Sequence, residues 1–368
     1  MEIKNITIVN HDQTINNADL ETQEGKIIKI TPKEGMGDYY LVPGFIDTHI
    51  HGFYNYDVMQ GKEACSVISK ELAKQGTTSF MPTAMTGSMQ EMQLALSNIA
   101  NNSNWTSKFL GIHIEGPFIG LAKKGAHDPK YLIEATNKII DQLNTSANGK
   151  LRKISFDPLM VSLDTMKHMQ DNNIIPSIGH SGCNYALAEE YFNNGCDSVC
   201  HLWNAMSGVD SRNPGLLQAA LTNNNCYVEL ICDLFHVSKE SILFTKKNKD
   251  ISSIIAVSDA IKPAYYQDGD NISGGIEVTK EGKKIVLKGT NTIAGSGICI
   301  HDAFVNLVNI GFSLNEAVAI TSYNAARHLK LNDLGIIAVN KTADFVLLDK
   351  NDLSIKDVYI NGAKIQRG

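Results

Sequence analysis

Two histidines spaced two residues apart lie in the apolar segment FIDTHIHGF (45–53). Side chains alternate between the two faces of a β-strand, so His49 and His51 point to the same side if this segment is a strand. On a face that looks into a site, both imidazoles can bind one metal ion. The alternative is a pair of surface histidines, and the pair alone does not decide between the two.

Further metal-binding side chains fall at the ends of other apolar segments. Eight such segments are candidate strands. They end near His51, Thr83, Glu115, Asp157, His180, His201, Cys232 and Asp259. Each ligand also has a structural explanation, since Glu115 and Asp259 could cap helices and His180 could bond to Ser181. Their coincidence at five of eight strand ends favours a metal site with ligands that suit catalytic zinc or iron.

The order of these segments predicts how the ligands are brought together. A helical pattern separates most of the candidate strands, as in GKEACSVISKELAKQG (61–76). Near-continuous apolar strands that alternate with helices are typical of a (β/α)8 barrel, whose chemistry gathers at the C-terminal strand ends. We therefore predict an α/β fold in which residues 44–334 form a (β/α)8 TIM-type barrel.

Both ends of the chain have the pattern of short strands. DLETQEGKIIKI (19–30) and DVYINGAKIQ (357–366) predict hairpins that turn at their Glu-Gly and Asn-Gly pairs. Further candidate strands are KNITIVN (4–10), GIIAV (335–339) and ADFVLLD (343–349). Neither end is large enough for a stable sheet of its own. We therefore predict that residues 1–43 and 335–368 form one small flanking β-sandwich domain.

Composition limits the classes of protein to which the chain can belong. Its 368 residues are 43% hydrophobic and 20% charged, which is ordinary for a globular protein. The net charge of −6 argues against nucleic acid or an anionic membrane as a partner. No apolar segment approaches the ~20 residues of a membrane span, and MEIKNITIVN lacks a signal-peptide pattern. Seven cysteines without framework spacing predict reduced thiols, so we expect a cytoplasmic protein.

One cysteine pattern needs separate treatment. CDSVCH (196–201) has three residues between its cysteines, whereas the haem-attachment motif has two. We interpret Cys196 and Cys200 as strand residues that pack as small hydrophobic side chains. Strand alternation predicts that the Cys200 thiol points away from the site that His201 faces, which leaves Cys200 outside the ligand set.

Nine short motifs are spread over nearly the whole chain. They are VPGFIDTHIHG (42–52), GIHIEGPFI (111–119), KKGAH (123–127), GHS (179–181), HLWNAM (201–206), NPG (213–215), DLFHV (233–237), SDA (258–260) and IAGS (293–296). The order HIEGPF, KKGAH and HLWNAM is highly specific. Together the motifs resemble the N-acetylglucosamine-6-phosphate deacetylases of the amidohydrolase superfamily.

The resemblance implies a divalent metal cofactor, zinc or iron, with one or two ions per subunit. The matching positions are Glu115, His180 and His201 for the main ion, His49 and His51 for a second ion, and Asp259 beside the first. Glu115 would bridge the two ions. Elsewhere in the superfamily a carbamylated lysine at the end of strand four has that role. Strand four here ends at Asp157 with Lys153 near its start, which agrees with Glu115 as the bridge.

The resemblance also implies a set of substrate-binding residues. They are Ala126, His127, Asn204, Ala205, Arg212, His236, Ile293, Ala294, Gly295 and Ser296. The guanidinium of Arg212 suits a phosphate, although a solubilising surface arginine is the alternative. In the family, residues at these places can come from a neighbouring subunit, which implies a homodimer. We interpret Lys123 and Lys124 as solvated loop charges.

The implied reaction is hydrolysis of the acetamide of N-acetylglucosamine 6-phosphate to glucosamine 6-phosphate and acetate. Water activated by the metal would be the nucleophile and Asp259 the proton shuttle. His127 or His236 would help to hold the carbonyl or the phosphate, and the sequence leaves open which.

Departures from the family pattern leave the sugar open. FYNYD (53–57) replaces a glycine-rich turn, DPL (157–159) replaces Ala-Pro-Glu, and residues 264–292 match loosely. N-acetylgalactosamine 6-phosphate is therefore an alternative substrate. EGPF and HLWNAM argue against cyclic-amide hydrolysis or deamination. A non-catalytic barrel that senses a sugar phosphate would have lost metal or proton-transfer residues, and all six are present.

Overall fold

The computed structural model describes residues 1–367, and its central element is a parallel sheet of eight strands in chain order. The strands are Phe45–Ile50, Thr77–Met85, Ile112–Glu115, Leu151–Phe156, Ile175–Ile178, Ser198–Val199, Tyr227–Ile231 and Ile254–Val257. Backbone bonds close the sheet, since Asp259 N–H donates to His49 O and His51 N–H to Ala260 O, each at 2.9 Å. The predicted (β/α)8 barrel is confirmed.

Helices cover the outside of the barrel between successive strands. They are Lys62–Lys74, Met89–Ala100, Asn137–Ser146, Leu163–Asp171, Tyr185–Asn193, Leu216–Thr222, Lys239–Asn248, Ile300–Asn309, Leu314–Val318 and Asn324–His328. Several begin at a capping side chain, as at Ser88, Thr136 and Ser162, whose oxygens accept a backbone N–H of the first turn. Their apolar faces pack against the strands, where the rings of Phe45 and Phe304 lie 5.5 Å apart.

Shorter helical turns complete the barrel. They are the 3₁₀ turns Val58–Gln60, Leu121–Lys123, Pro129–Tyr131 and Ile251–Ser253, and the π-helical turn Ala319–Tyr323. Each of the eight predicted barrel-strand ends lies within two residues of the observed end. The predicted ligands therefore follow the strands at one rim of the barrel.

A second sheet of seven strands combines the two ends of the chain. In spatial order the strands are Ala363–Lys364, Ile355–Ile360, Phe345–Leu348, Tyr39–Pro43, Glu2–Val9, Thr14–Gln23 and Lys26–Pro32. Both predicted hairpins are present, one closed by the Gln23–Lys26 pair and one by the Ile360–Ala363 pair. The boundaries proposed for a separate terminal domain stay a prediction.

The predicted strand GIIAV (335–339) is wrong, because this segment is irregular in the structure. Ile337 is buried, and its N–H and C=O pair with the side chain of Asn10 at 2.8 and 2.9 Å. The Asn10 amide thus forms the two hydrogen bonds that Ile337 would make with a neighbouring strand if this segment were in a sheet.

A small antiparallel sheet, which we call the flap, lies in the segment that matches the family loosely. Its strands are Gly269–Ser273, Ile276–Glu281 and Lys284–Leu287. Its apolar side packs Val278 and Ile285 against Ile261 and Ala294, and Ile261 lies two residues after the predicted metal-site residue Asp259. The flap is absent from the sequence predictions, and it covers part of the site.

The remaining short strands pair locally. Gly52–Phe53 pairs with Tyr56–Asp57, and Lys108–Phe109 pairs with the second barrel strand. In residues 1–367, no helix has both the length and the apolar character needed to cross a membrane. All seven cysteines are unpaired and buried.

Candidate active site

Three of the predicted metal ligands meet at the C-terminal rim of the barrel, where two histidines lie against one carboxylate oxygen. Oε1 of Glu115 lies 2.9 Å from His201 Nε2 and 3.2 Å from His180 Nε2. The two imidazole nitrogens are 3.0 Å apart. These atoms come from three different barrel strands, yet they form one compact group with the carboxylate at its centre.

A second group lies on the other side of the same carboxylate. His51 Nε2 is 3.2 Å from Glu115 Oε2 and 3.2 Å from Asp259 Oδ1. His49 Nε2 is 3.5 Å from Glu115 Oε1 and from Asp259 Oδ1, and it lies 3.1 Å from His51 Nε2. The predicted HxH pair thus points into the site, and Glu115 lies between the two groups. Asp259 was expected beside the first ion, but its carboxylate contacts the HxH pair of the second group.

The protonation of the histidines tests whether this site fits a metal. His180 Nδ1–H donates to the carbonyl of Lys123 at 2.8 Å, and His51 Nδ1–H donates to the carbonyl of Thr83 at 3.0 Å. Because a carbonyl only accepts, Nδ1 of each ring carries a hydrogen, and the unprotonated Nε2 that a metal requires would direct its lone pair toward Glu115. Lone pairs that face a carboxylate oxygen at 3.2 Å repel it unless a cation or a proton lies between them.

The pKa values point in the same direction. Burial alone would lower the pKa of His51 and His201. The carboxylates of Glu115 and Asp259 outweigh burial and raise the pKa of His51 to about 10 and that of His201 to about 9. The site therefore attracts positive charge strongly, and its imidazole and carboxylate donors fit a divalent metal such as zinc or iron.

Three of these residues adopt a left-handed backbone conformation. The φ angles are +48° at His180, +25° at His201 and +49° at Asp259. Non-glycine residues rarely adopt such angles, and those that do are concentrated at functional sites. The conformation turns each side chain inward directly after its strand has ended.

The prediction that the Cys200 thiol points away from the site is wrong, because strand geometry ends before this residue. Its strand ends at Val199, so alternation no longer applies at Cys200, and the following His201 has a positive φ. The Cys200 thiol consequently points into the site, where Sγ lies 3.5 Å from His49 Nδ1 and 3.9 Å from Glu115 Oε1. Burial raises the pKa of this thiol to about 12, which keeps it protonated at neutral pH.

A buried ion pair beneath the ligands is also missing from the sequence predictions. Lys153 Nζ contacts Glu229 Oε1, and both side chains are at most 3% exposed. Burial raises the pKa of Glu229, but Lys153 and His49 beside it lower that pKa further, so the carboxyl is ionised. The only sign of this ion pair in the sequence is that Lys153 and Glu229 are charged residues within apolar strands.

A cavity of about 420 Å³ opens above the ligands. The predicted substrate-binding residues that line it are Ala126, His127, Asn204, Ala205, His236, Ile293, Ala294 and Gly295. Five of the six predicted metal-site residues line it as well, whereas His49 lies beneath them. Ser296 is buried outside the lining and donates its hydroxyl to Ser258 O, and Arg212 lies exposed on a loop.

Two histidines in the wall of the cavity contact different carboxylates. His127 Nε2 lies 3.4 Å from Glu115 Oε2, and burial lowers its pKa to about 4, so the ring is neutral. His236 Nδ1 bonds to Asp233 Oδ2 at 2.7 Å, which fixes the orientation of that ring. Both side chains can offer a nitrogen to a ligand in the cavity.

The cavity has lining residues that were not predicted. They are Met85, Ala122, Lys123, Gly125, Phe235, Ile261, Ser273, Ile276, Val278 and Leu287. Lys123 is therefore more than a solvated loop charge, since it lines the cavity and its carbonyl orients His180. Ile276, Val278 and Leu287 belong to the flap, which makes this wall of the cavity apolar.

Two of the three sequence departures, FYNYD and DPL, support the site from outside the lining of this cavity. The ring of Phe53 packs on Tyr265 at 4.9 Å, and Asn55 Oδ1 accepts a hydrogen bond from Asn271 at the flap. Asp157 Oδ1 accepts the hydroxyl of Ser181 at 2.7 Å, next to His180 in the chain. The departures therefore hold the flap and one ligand loop.

Comparison with known proteins agrees with the fold. The Amidohydrolase family model matches residues 40–365. An N-acetylglucosamine-6-phosphate deacetylase of Bacillus subtilis (strain 168) is 30% identical, over 95% of this chain and 93% of the relative. An N-acetylgalactosamine-6-phosphate deacetylase of Escherichia coli O157:H7 is also 30% identical, over 88% of this chain and 86% of the relative.

Among solved structures, N-acetylglucosamine-6-phosphate deacetylase of Thermotoga maritima superposes with a TM-score of 0.91 at 29% identity, with both chains covered completely. Both the match of the family model and the 30% identical relatives span most of the chain. The chain is therefore a hydrolytic deacetylase of the amidohydrolase family, within the N-acetylglucosamine-6-phosphate deacetylase family.

Proposed function

We propose that the enzyme hydrolyses the acetamide of N-acetylglucosamine 6-phosphate to glucosamine 6-phosphate and acetate. The observation that carries the proposal is the convergence of Glu115, His180, His201, His51 and Asp259 on the floor of one cavity. A carboxylate flanked by imidazoles suits a hydrolytic metal, and the cavity has the dimensions of a small-molecule site.

Glu115, His180 and His201 would hold the main ion, and His49 with His51 would hold a second one that shares Glu115. An ion at this place would polarise the acetyl carbonyl as a Lewis acid and would lower the pKa of water toward ~7. Orientation comes from the chain, because the carbonyl of Lys123 fixes the ring of His180.

Asp259 would move the proton. Burial raises its pKa, but His49 and His51 lower it further, so that the side chain is a carboxylate at neutral pH. It can therefore accept a proton from the attacking water and later deliver it to the leaving nitrogen. The second transfer matters because an amine leaves poorly unless it is protonated.

The phosphate requires local positive charge, because the chain carries a net charge of −6. Lys123 and His236 line the cavity, whereas Arg212 stands on an exposed loop. We infer that Arg212 serves the site of a neighbouring subunit in a homodimer, where its guanidinium can bind the phosphate in a bidentate manner.

N-acetylgalactosamine 6-phosphate is the second candidate substrate. It is favoured by the Escherichia coli relative, whose identity to this chain equals that of the Bacillus subtilis relative. The two sugars differ only in the orientation of the 4-hydroxyl. Cavity residues that contact this hydroxyl would determine which of the two sugars is hydrolysed.

An acetate-release assay on the two N-acetyl sugar 6-phosphates tests the proposal. We expect kcat/KM for the glucosamine derivative to exceed that for the galactosamine derivative by ~10-fold or more, which corresponds to ~1.4 kcal/mol of discrimination. The reverse preference would establish the second candidate. Failure to release acetate from either compound would refute both.

Arg212→Ala should raise KM for the phosphorylated sugar by ~10–100-fold, because a hydrogen bond to a charged group is worth roughly 1.5–3 kcal/mol. The unphosphorylated N-acetyl sugar should be hydrolysed as before, since it lacks the partner group. Arg152→Ala is the control, because that guanidinium bonds to Asn173 O and Leu329 O rather than to the cavity. Equal losses on both sugars would show that Arg212 supports structure instead.

Subunit mixing tests the dimer separately. Arg212→Ala subunits keep Asp259, and Asp259→Asn subunits keep Arg212. If Arg212 serves the neighbouring site, mixed dimers contain one complete site, so activity should rise above that of either variant. No gain after verified subunit exchange would place Arg212 in its own site or outside both.

A further inference from the structure

Three polar side chains form a connected cluster inside the barrel, directly beneath the predicted ligand His49. Oε1 of Glu229 contacts Lys153 Nζ and accepts the hydroxyl of Thr48 at 3.2 Å. Its other oxygen, Oε2, lies 3.3 Å from His49 Nδ1. Lys153 Nζ also donates to Thr48 O at 2.9 Å. We call Lys153, Glu229 and Thr48 the barrel-floor cluster.

The barrel-floor cluster is unusual for its position. Interiors of such barrels are normally filled by branched apolar side chains, and removal of two charges from water is costly unless both are well paired. Here the lysine and the carboxylate are 2% and 3% exposed and satisfy each other. Apolar residues would fill the same space without this cost, so the cluster has a use other than packing.

The cluster connects to the site through one atom, His49 Nδ1. Imidazole has two neutral tautomers, and only the Nδ1–H form leaves Nε2 free to bind an ion. The Glu229 carboxylate can only accept, and at 3.3 Å it lies nearer to Nδ1 than the Cys200 Sγ at 3.5 Å, a weak donor that can also accept, so Glu229 favours the Nδ1–H form. Nε2 then faces His51 Nε2 at 3.1 Å, where the second ion would lie.

We propose that Glu229 is a positioning residue for the second metal ion, held in place by Lys153 and Thr48. Carboxylates that accept from the far nitrogen of a metal-binding histidine typically change metal affinity by ~10–100-fold. The inference rests on the two-ion site in the proposed function. It adds that occupancy of the His49–His51 position depends on the barrel-floor cluster.

The test variants must not leave a buried charge without a partner. Glu229→Gln alone leaves the Lys153 ammonium unpaired and could prevent folding. The double variant Lys153→Met/Glu229→Gln removes both charges and keeps the volumes similar. Thr48→Val is a milder second variant, because it removes one donor to Glu229 and leaves the ion pair intact.

Zinc titration and elemental analysis of the folded proteins provide a readout that does not need activity. We expect two ions per wild-type subunit. The double variant should keep the first ion with unchanged affinity and bind the second ~10–100-fold more weakly, and Thr48→Val should show a smaller change in the same direction. Cobalt substitution should show loss of the absorption of the second ion only.

Lys249→Met is the matched control. Lys249 is also a buried lysine, but it donates to Ala220 O and Asn223 O, away from the site. This variant should keep both ions, whatever it does to stability.

The inference is overturned by a wild-type enzyme that holds one ion at saturating zinc. It is also overturned by a double variant that binds both ions normally or loses both equally. Ion counts are independent of acetate release. An enzyme with two ions and no activity on either sugar would therefore refute the proposed function but not this inference.

Discussion

Asp259→Asn should lower kcat for acetate release by ~10²–10⁴-fold, the range that a positioned general acid–base group contributes. Asparagine keeps the shape and one oxygen of aspartate but cannot accept the proton of water. It also tolerates the left-handed backbone at this position, where φ is +49°, so the backbone should be preserved. Substrate affinity should therefore remain close to that of the wild-type enzyme.

The geometry explains why no neighbour should replace Asp259. Its side chain is 13% exposed, so it can contact a bound molecule, whereas the Glu115 carboxylate is 4% exposed and surrounded by imidazoles. Its backbone is held on both sides, since its N–H donates to His49 O and its carbonyl accepts from Ser296 N–H. The loss should appear in kcat and not in folding.

The measurement combines steady-state acetate release, calorimetric substrate binding and elemental analysis of the same sample. Asp344→Asn is the control, because Asp344 is a buried aspartate that pairs with Lys108 away from the cavity. It should affect stability and leave kcat unchanged. If Asp259→Asn kept more than a tenth of the activity with a normal ion content, Asp259 would not be the proton shuttle.

The barrel, and the convergence of the predicted metal-site residues at one rim, could be predicted from the sequence for a local reason. A parallel barrel strand is apolar on both faces, and each ligand follows such a run directly, so chain order alone brings Glu115, His180 and His201 to one rim. The hairpins were predictable because left-handed turns such as Asn361-Gly362 favour these residues, with φ of +50° and +72°.

Other features depend on information that no single segment contains. The orientation of Cys200 follows from the left-handed φ of His201, which strand alternation cannot anticipate. Lys153 and Glu229 lie 76 residues apart and meet only because strands four and seven enclose the same interior. The flap has short strands with largely exposed residues, as in Gly269–Ser273, so its apolar pattern is weak.

The two groups of ligands should separate experimentally although they share one carboxylate. His180 and His201 contact only Oε1 of Glu115, at 3.2 and 2.9 Å. His51 contacts Oε2 and Asp259 instead. Removal of one histidine from the first group deprives the main ion of an imidazole, while the HxH pair that would hold the second ion stays in place. Polarisation of the acetyl carbonyl depends on the first group.

His180→Asn or His201→Asn should therefore abolish acetate release, with a loss of ~10³-fold or more, since metal polarisation is worth several kcal/mol and ~1.4 kcal/mol is tenfold. Elemental analysis should show the main ion missing. The double variant His49→Asn/His51→Asn should lose only the second ion and keep measurable activity.

His168→Asn is the matched control for these substitutions. His168 is 27% exposed and bonds to Asp141 at 2.7 Å on the outside of the barrel, so this variant should keep both ions and full activity. Glu115→Gln should lose both ions, because both groups of histidines contact its carboxylate. If the His180 variant and the HxH double variant lost the same ions in the same proportion, the ligands would form a single site, and the role of Glu115 as a bridge would be wrong.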